Sequence, residues 1–410
     1  MDPSARPHPQ PLASGAGQFA AFLASLFWSR LADQLLLFLV PLVVFESTQS
    51  AAWSGLAFAA EALPRFVSFP VCGVLCDRFP PVSLLHQSQV WRALACVMGA
   101  AGGAWFGGVG WLVAASAVCG VLTTQGVIAR EVILPQAFAE HRFEKRLAYA
   151  QTADQVGAVL GPVAAALMLA RMAWPAAMAV TAGLFMLADL MLRHWRRHNQ
   201  ATLRPRDAGL GLLGSLRTAW GHVAGLPALR RLVVQAAGVN LVVGVTLASS
   251  AALVVGRHGQ SGACYAVLQA EGAALTVLVL MGIAHWPVPA WKLGLAGFGA
   301  MVLGGLLTAL SSGMAGYAAG YGLVIGFDKM FNIYLRSSRQ RVIPAADYGK
   351  TVGVMTLLNN LSQPLAGLCI AAFAGRWSAP VVIVALTLAM VAMGLLSLLA
   401  GRAPASPRAG

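Results

Sequence analysis

The sequence predicts an all-α membrane protein in which twelve transmembrane helices form two halves of six. Three observations predict this class. Hydrophobic residues make up 58% of the 410 residues and charged residues only 10%, whereas about 25% of an ordinary soluble domain is charged. Apolar runs of about 20 residues recur along the chain, each long enough to cross a bilayer. The Lys and Arg residues fall mainly in alternate loops between these runs.

Gly, Pro and charged residues punctuate the apolar runs and set the predicted helix boundaries. Segments such as 35–45 and 383–400 are apolar on nearly every side, unlike the alternating strands of a membrane β-barrel. The twelve spans are predicted at residues 19–45, 52–76, 84–106, 108–129, 148–171, 173–195, 231–256, 262–284, 291–311, 313–335, 350–375 and 378–401.

The longest polar stretch lies midway and divides the spans six and six, as a linker between two transporter halves would. The first 18 residues are rich in Pro, Ala and Ser and lack an apolar core, which is typical of a disordered tail. No cleavable signal peptide is evident. The expected organisation is a cytosolic tail (1–18), an N-terminal six-helix bundle (19–195), a cytoplasmic basic linker (196–230), a C-terminal six-helix bundle (231–401) and a second cytosolic tail (402–410).

The distribution of basic residues predicts the orientation. An even number of spans places both termini on the same side, and cytoplasmic loops carry an excess of Lys and Arg. Most basic residues fall in the loops on the side of the termini, whereas the opposite loops hold only Arg171, Arg257 and Arg376. We therefore expect a multi-pass protein of the plasma (inner) membrane with both termini cytoplasmic.

Several other function classes are not supported by the composition. The formal net charge of +14 is spread over loops, without the basic and aromatic constellation of a nucleic-acid-binding module. The six cysteines lie within or beside apolar runs, and no His or second Cys pair completes a zinc set. No Ser–His–acid set or phosphate-binding loop is present. We expect neither an enzyme nor a bound cofactor or metal.

The segment after the second span reads Gly73-Val-Leu-Cys-Asp77-Arg78. It resembles the loop signature of the major facilitator superfamily. Gly allows the helix end to pack closely, and an acid–base pair at the cytoplasmic mouth can latch the two halves in one state. Pro80 and Pro81 replace the Gly and basic residues with which the signature normally continues, so the latch is weaker or differently partnered.

In the fifth span, Gly157-Ala-Val-Leu-Gly161-Pro162 resembles the Gly-x-x-x-Gly-Pro element of exporters in this superfamily. Gly at i and i+4 lets two backbones approach, and Pro162 bends the helix. A tight helix crossing with no bearing on transport direction is the alternative interpretation.

Leu134-Pro135 and Ile343-Pro344, which precede the fifth and eleventh spans, resemble the branch that contains macrolide-efflux proteins and the enterobactin exporter. One residue departs from the pattern of drug–proton antiporters, which often carry Arg three positions before a Gln-Gly in the fourth helix. Here Gln125-Gly126 is preceded at that distance by Leu122. Proton coupling through that arginine is therefore not expected.

Ionisable residues at membrane depth are candidate functional groups, because they are costly there unless paired or hydrated. Arg30 and Asp33 share one face of the first span, and Glu61 and Arg65 share one face of the second. Their similar depth predicts an interhelical network that either exchanges protons or holds the two helices together. In the second half, Glu271 lies near the middle of the eighth span with no charged partner close in sequence.

Other polar side chains within the spans are candidate substrate contacts. Their alternative roles are helix–helix hydrogen bonding and, for the arginine, extension of the side chain towards the membrane surface. These candidates are Arg92, Gln235, Asn240, Asn359, Asn360 and Gln363.

The resemblance implies a secondary transporter that exports a drug-like compound or siderophore-type metabolite by proton antiport. Alternating access would rock residues 19–195 against 231–401. One alternative is a metal exporter similar to ferroportin, because Asp33 in its aromatic and apolar context also resembles that family; the spans offer few metal ligands, however. A non-transporting receptor is the other alternative. The expected partners are the substrate, protons and lipid, for a monomeric protein.

Overall fold

The computed structural model describes residues 16–48, 51–138, 143–198, 211–373 and 376–400. Within these residues the chain forms thirteen α-helices. The first six are α1 (Ala16–Thr48), α2 (Ala51–Arg78), α3 (Pro81–Phe106), α4 (Gly110–Ala137), α5 (Phe143–Leu169) and α6 (Trp174–His198). The other seven are α7 (Leu212–Gly225), α8 (Pro227–Ala251), α9 (Gly262–His285), α10 (Ala290–Leu310), α11 (Met314–Val342), α12 (Tyr348–Phe373) and α13 (Ala379–Ala400).

Each of the twelve predicted spans coincides with one long helix, which confirms the fold class. The largest differences from the predicted boundaries are at the ends of α4 and α11. Helix α4 continues through Pro135 to Ala137, and α11 continues to Val342. Arg130 and Arg339 therefore lie inside helices rather than in loops. A proline so close to the end of α4 disrupts little of the helix, because few residues follow it.

Eight of the described helices are long and apolar enough to cross a membrane by composition: α1, α4, α5, α6, α8, α9, α10 and α13. Helices α3 and α11 carry polar residues such as Arg92 and Asp328, which are 1% and 6% exposed. These charged groups face the protein interior, where they avoid the cost of contact with lipid.

The chain divides into two compact units. The first unit comprises Met1–Ser68 and Leu75–Ala208. Within it, α1 packs against α5 and α6, and α3 packs against α4 and α6. One of its core clusters includes Leu39, Cys96, Leu112 and Phe185, all nearly inaccessible to solvent.

The second unit comprises Phe69–Val74 and Gly209–Gly410. Helix α8 packs against α12 and α13, and α11 packs against α9 and α10. Two glycines bring α10 and α11 together, since a Cβ atom on Gly304 would lie 2.8 Å from the carbonyl oxygen of Gly320. Tyr317 and Tyr321 of α11 are completely buried in the core of this unit.

Two short elements complete the second unit. A π-helical turn, Ala252–Arg257, extends α8, and a 3₁₀ turn, Ala345–Asp347, precedes α12. Helix α7 falls within the predicted linker, where the sequence pattern did not indicate a helix. It packs against α8 and α12 through Ser215, Ala219 and Val223.

Candidate functional site

A fully buried ion pair joins three helices of the first unit. Asp33 of α1 is 4% exposed and Arg92 of α3 is 1% exposed. Arg92 Nη1 donates a hydrogen bond of 2.6 Å to Asp33 Oδ1. Thr123 Oγ1 of α4 donates to the same carboxylate oxygen at 2.8 Å. The Asp33 carboxylate is therefore paired with the Arg92 cation and also accepts a hydrogen bond from a hydroxyl group.

The Arg92 guanidinium is engaged on several sides. Its Nε donates to the Ser88 carbonyl oxygen at 3.0 Å, and its Nη2 donates to Ser29 Oγ at 3.2 Å. The guanidinium carbon also lies 4.4 Å from the centre of the Phe185 ring, a cation–π contact. Arg92, a predicted substrate contact, is thus enclosed by the first unit.

A second ion-pair cluster of the first unit is partly exposed. Arg130 Nη1 of α4 donates to Asp154 Oδ1 of α5 at 2.9 Å. Arg30 Nε of α1 lies 3.8 Å from Asp154 Oδ2, and this Nε has no hydrogen-bond acceptor. The side chains of Arg30, Arg130 and Asp154 are 26%, 12% and 34% exposed. Two arginines therefore share one partly exposed carboxylate.

The predicted network around Asp33 has different partners. Among the described residues, Asp33 pairs with Arg92 rather than with Arg30 or Arg65, because Arg30 faces α5. Arg65 is half-buried in α2, and its carbonyl oxygen accepts a hydrogen bond of 3.1 Å from Thr124 Oγ1. Glu61 lies in α2, and its side chain is outside the described part of the structure.

Asp154 and Arg130 were not predicted as site residues. Asp154 lies inside the predicted fifth span, three residues before Gly157, so an acid at membrane depth was the available signal. Arg130 was not identified as a residue within a helix because α4 was predicted to end at residue 129.

The glycines of α5 position this cluster. A Cβ atom on Gly157 would lie 3.0 Å from the Phe27 carbonyl oxygen of α1, and one on Gly161 would collide with Gln34. Pro162 lies inside the helix directly after this crossing. Because α5 approaches α1 so closely here, Asp154 comes within reach of Arg30.

The predicted latch residues lie at the end of α2. Asp77 is 4% exposed and Arg78 is half-buried. Gly73 belongs to the short segment that groups with the second unit. A Cβ atom on Gly73 would lie 2.5 Å from the Gly349 carbonyl oxygen of the same unit, so only glycine fits at this position.

Glu271 is the prominent acid of the second unit. Its side chain is exposed on α9, on a face that otherwise presents apolar residues such as Val267 and Leu278, 68% and 67% exposed. Its Oε1 lies 3.2 Å from where a Cβ atom on Gly322 would be, so the carboxylate rests against α11. Glu271 has no hydrogen bond or ion pair with any residue that the structure describes.

A chain of hydrogen bonds lies beside Glu271 and links α8, α9 and α11. The Tyr321 hydroxyl donates to Gln269 Oε1. Gln269 Nε2 donates to the Tyr265 hydroxyl at 2.7 Å, and that hydroxyl lies 3.2 Å from Ser250 Oγ. These residues were not predicted as site residues, although Tyr265 and Gln269 lie one helical turn apart just before Glu271.

The predicted amide contacts are distributed over the second unit. Gln235 Nε2 donates to Ser397 Oγ at 3.1 Å, and the Tyr334 hydroxyl donates to Gln235 Oε1 at 3.5 Å, so this amide connects helices. Asn359 is 8% exposed and its Oδ1 has no hydrogen-bond donor. Asn240 and Asn360 are half-buried. The Gln363 side chain is outside the described residues.

Potential metal ligands are scattered in the described part of the structure. Among the described residues, no group of three or more His, Cys, Asp or Glu side chains could hold a metal ion. The six cysteines are free, and Cys72, Cys76, Cys96 and Cys119 are buried.

Long apolar helices in two units, with charged and polar groups held inside them, define a multi-pass membrane transporter. The sequence matches the profile of the Major Facilitator Superfamily over residues 19–367, and the chain belongs to this superfamily. It is therefore a transporter and not an enzyme. No curated protein sequence matches this chain.

Solved structures of this superfamily have a similar fold. A bacterial homologue of the iron transporter ferroportin, in its outward-facing state, superposes with a TM-score of 0.72 at 16% identity, covering 94% of this chain and 100% of the homologue. The Escherichia coli fucose:proton symporter gives 0.74 at 15% identity, covering 95% and 100%. The human organic anion transporter TETRAN gives 0.71 at 16% identity, covering 92% and 98%.

Proposed function

We propose that the chain exports a small organic molecule, a drug-like compound or a siderophore-type metabolite, from the cytoplasm by proton antiport and alternating access. The exposed carboxylate of Glu271 is the observation that supports proton coupling. Its carboxylate is exposed in the middle of a membrane helix and has no ion-pair partner among the described residues. An acidic side chain at membrane depth is a candidate proton-exchange group, because ionisable groups there are costly unless paired or hydrated.

Proton and substrate are exchanged because they compete for the Glu271 carboxylate. A hydrogen-bond donor or cationic group of the substrate binds the charged carboxylate and displaces the proton. A returning proton neutralises the carboxylate and weakens its hold on the substrate. Proton and substrate then occupy the same group in alternation, which is the requirement for antiport.

The surroundings of Glu271 fit an amphipathic organic molecule. Tyr265, Gln269 and Tyr321 supply hydroxyl and amide groups, while Val267 and Leu278 supply apolar surface. Binding sites for small organic molecules combine mostly apolar walls with a few polar groups that fix orientation.

The two ion-pair clusters of the first unit have separate proposed roles. The buried Asp33–Arg92 pair stabilises the helix packing, because its charges are satisfied inside the protein. The partly exposed Arg30, Arg130 and Asp154 cluster is the part of this unit that a polar substrate can reach. Export as the direction is supported by the resemblance of the Gly157–Pro162 element to that of exporters.

Metal-ion export is the second candidate, favoured by the similarity to the ferroportin homologue. At 16% identity that similarity concerns the fold alone. A transition-metal site draws on His, Cys or several carboxylates, and the described residues offer no such group. The organic substrate is therefore the preferred proposal.

The test compares cells that express the wild type, Glu271→Gln or Glu144→Gln. The last variant is a matched control in the first turn of α5. Accumulation of dyes, antibiotics, iron-chelating metabolites and divalent metal salts is measured with and without a protonophore. We expect the wild type and Glu144→Gln to lower the accumulation of at least one organic compound, and Glu271→Gln or the protonophore to abolish this effect.

Two outcomes contradict the proposal. Efflux that persists in Glu271→Gln, or without a proton gradient, removes the proton coupling. Lower accumulation of a metal but of no organic compound favours the second candidate.

A further inference from the structure

Helix α7 is tied to the bilayer by its place in the chain. It ends at Gly225, and α8, which is apolar enough to cross the membrane, begins at Pro227. Leu226 alone separates the two helices, and one residue spans at most about 3.6 Å. Helix α7 is too short to span a bilayer at 14 residues. Helix α7 is therefore a short helix that ends one residue before a candidate membrane span.

The two faces of α7 differ in character. Ser215, Ala219 and Val223, spaced four residues apart, are buried against the second unit. The opposite face carries Leu213, Arg217 and Trp220, spaced at i, i+4 and i+7. Leu213 is 82% exposed and Trp220 is 55% exposed, and Arg217 lies exposed between them.

Contacts at the far end of α7 fix its rotation. His222 Nε2 lies 2.7 Å from Asp347 Oδ2, and Lys350 Nζ lies 2.6 Å from Asp347 Oδ1. Burial raises the pKa of Asp347, but the hydrogen bonds and charges of Lys350 and His222 outweigh it and lower that pKa below its ordinary value. Because the helix is held on this side, Leu213, Arg217 and Trp220 cannot turn towards the protein.

The stretch of sequence that contains α7 is basic. The sequence has no Asp or Glu between residues 208 and 270, whereas Arg217, Arg230 and Arg231 lie in or just after α7. Basic residues next to a membrane bind anionic headgroups with a gain of roughly five-fold each. Trp is enriched at membrane interfaces because its ring is apolar and its N–H is polar.

We propose that the Leu213–Arg217–Trp220 face of α7 binds the bilayer surface, with Leu213 and Trp220 inserted among the acyl chains and Arg217 on an anionic phospholipid headgroup. The partner is the lipid layer itself rather than another protein, since α7 lies where α8 enters the membrane. This surface is independent of the transported substrate and of proton coupling.

The test uses the full-length protein in vesicles with brominated acyl chains, which quench Trp fluorescence by contact. Vesicles contain phosphatidylcholine alone or with increasing fractions of phosphatidylglycerol. The signal of Trp220 is obtained as the difference between the wild type and Trp220→Phe. We expect Trp220 to be quenched and its quenching to increase with the phosphatidylglycerol fraction.

Charge variants identify the anionic contact. Arg217→Gln is expected to shift the phosphatidylglycerol dependence by roughly five-fold. The matched control Arg376→Gln, an exposed arginine between α12 and α13, is expected to leave it unchanged. An unquenched Trp220 in every vesicle means that solvent or a protein covers this face and overturns the proposal. Quenching that is identical in both lipids overturns the anionic contact.

Discussion

Asp33 and Asp154 both pair with arginine, but at the scale of the single residue their surroundings differ. Asp33 and Arg92 are 4% and 1% exposed, whereas the Asp154 side chain is 34% exposed. Removing one partner of a buried pair leaves an uncompensated charge and costs about 3–5 kcal/mol. An exposed pair contributes only about 0–1 kcal/mol, because water and salt screen it.

The same substitution at the two positions should therefore have different effects. We expect Asp33→Asn to lower the apparent melting temperature in detergent markedly, since Arg92 stays charged and buried. Asp154→Asn is the matched control and should lower the free energy of unfolding by no more than about 1 kcal/mol, so that the melting temperature changes little. The double variant Asp33→Asn/Arg92→Gln should recover part of the loss. Equal effects of the two single variants would contradict the assignment of Asp33–Arg92 as the buried structural pair.

The spacing of Arg30 and Asp33 indicated that both lie at membrane depth, but not which residues they contact. Three residues along a helix differ by about 60° around its axis. That angle is enough for Asp33 to reach Arg92 on α3 while Arg30 reaches Asp154 on α5. The partner depends on the rotation of each helix against its neighbours, which a single sequence does not contain.

Among the helices, the approach of α5 to α1 depends on two glycines. Added Cβ atoms would lie 3.0 Å from the Phe27 carbonyl oxygen at Gly157 and would collide with Gln34 at Gly161. Gly161→Ala should therefore force the two helices apart and destabilise the protein by about 1–3 kcal/mol, the usual cost of overpacking. It should also separate Asp154 from Arg30 and reduce transport.

Gly183 of α6 provides the control for this prediction, because a Cβ atom there meets nothing within 4 Å. Gly183→Ala should be neutral or stabilising by up to about 1 kcal/mol, since Ala is the better helix former. Thermal unfolding in detergent and transport in vesicles measure both variants. A Gly161→Ala protein as stable and active as Gly183→Ala would show that the crossing tolerates a methyl group.

Helix length was predictable from sequence where a continuous apolar run specifies a span. Helix α7 was not predictable from the sequence, because its 14 residues mix polar and apolar side chains within a basic linker. Its buried face becomes evident only from its packing against α8 and α12. The ends of α4 and α11 were also missed. Arg130 and Arg339 were interpreted as loop residues, but α4 and α11 extend beyond their apolar segments and include these charges.

For the whole molecule, the arrangement of basic residues predicts how the twelve helices cross the membrane. Because each predicted span crosses the membrane once, we expect the short connections on either side of α9 to lie on opposite faces. The connection before α9 follows Arg257, while the connection after it precedes Lys292. Because basic residues concentrate in the connections on the side of the termini, that side is expected to be cytoplasmic.

Fusions at both ends of α9 test this orientation. Alkaline phosphatase needs disulfides and is active only outside the cytoplasm, whereas green fluorescent protein reports the cytoplasmic side. We expect phosphatase to be active when fused after Gly259 and inactive after Pro289, and green fluorescent protein to fluoresce after Pro289 and after Gly410. The inverse pattern would place both termini outside and contradict the predicted orientation. The same phosphatase activity at Gly259 and Pro289 would show that α9 does not cross the membrane. We do not expect that outcome, because the apolar segment Val267–His285 has 19 residues, about the length that crosses a bilayer.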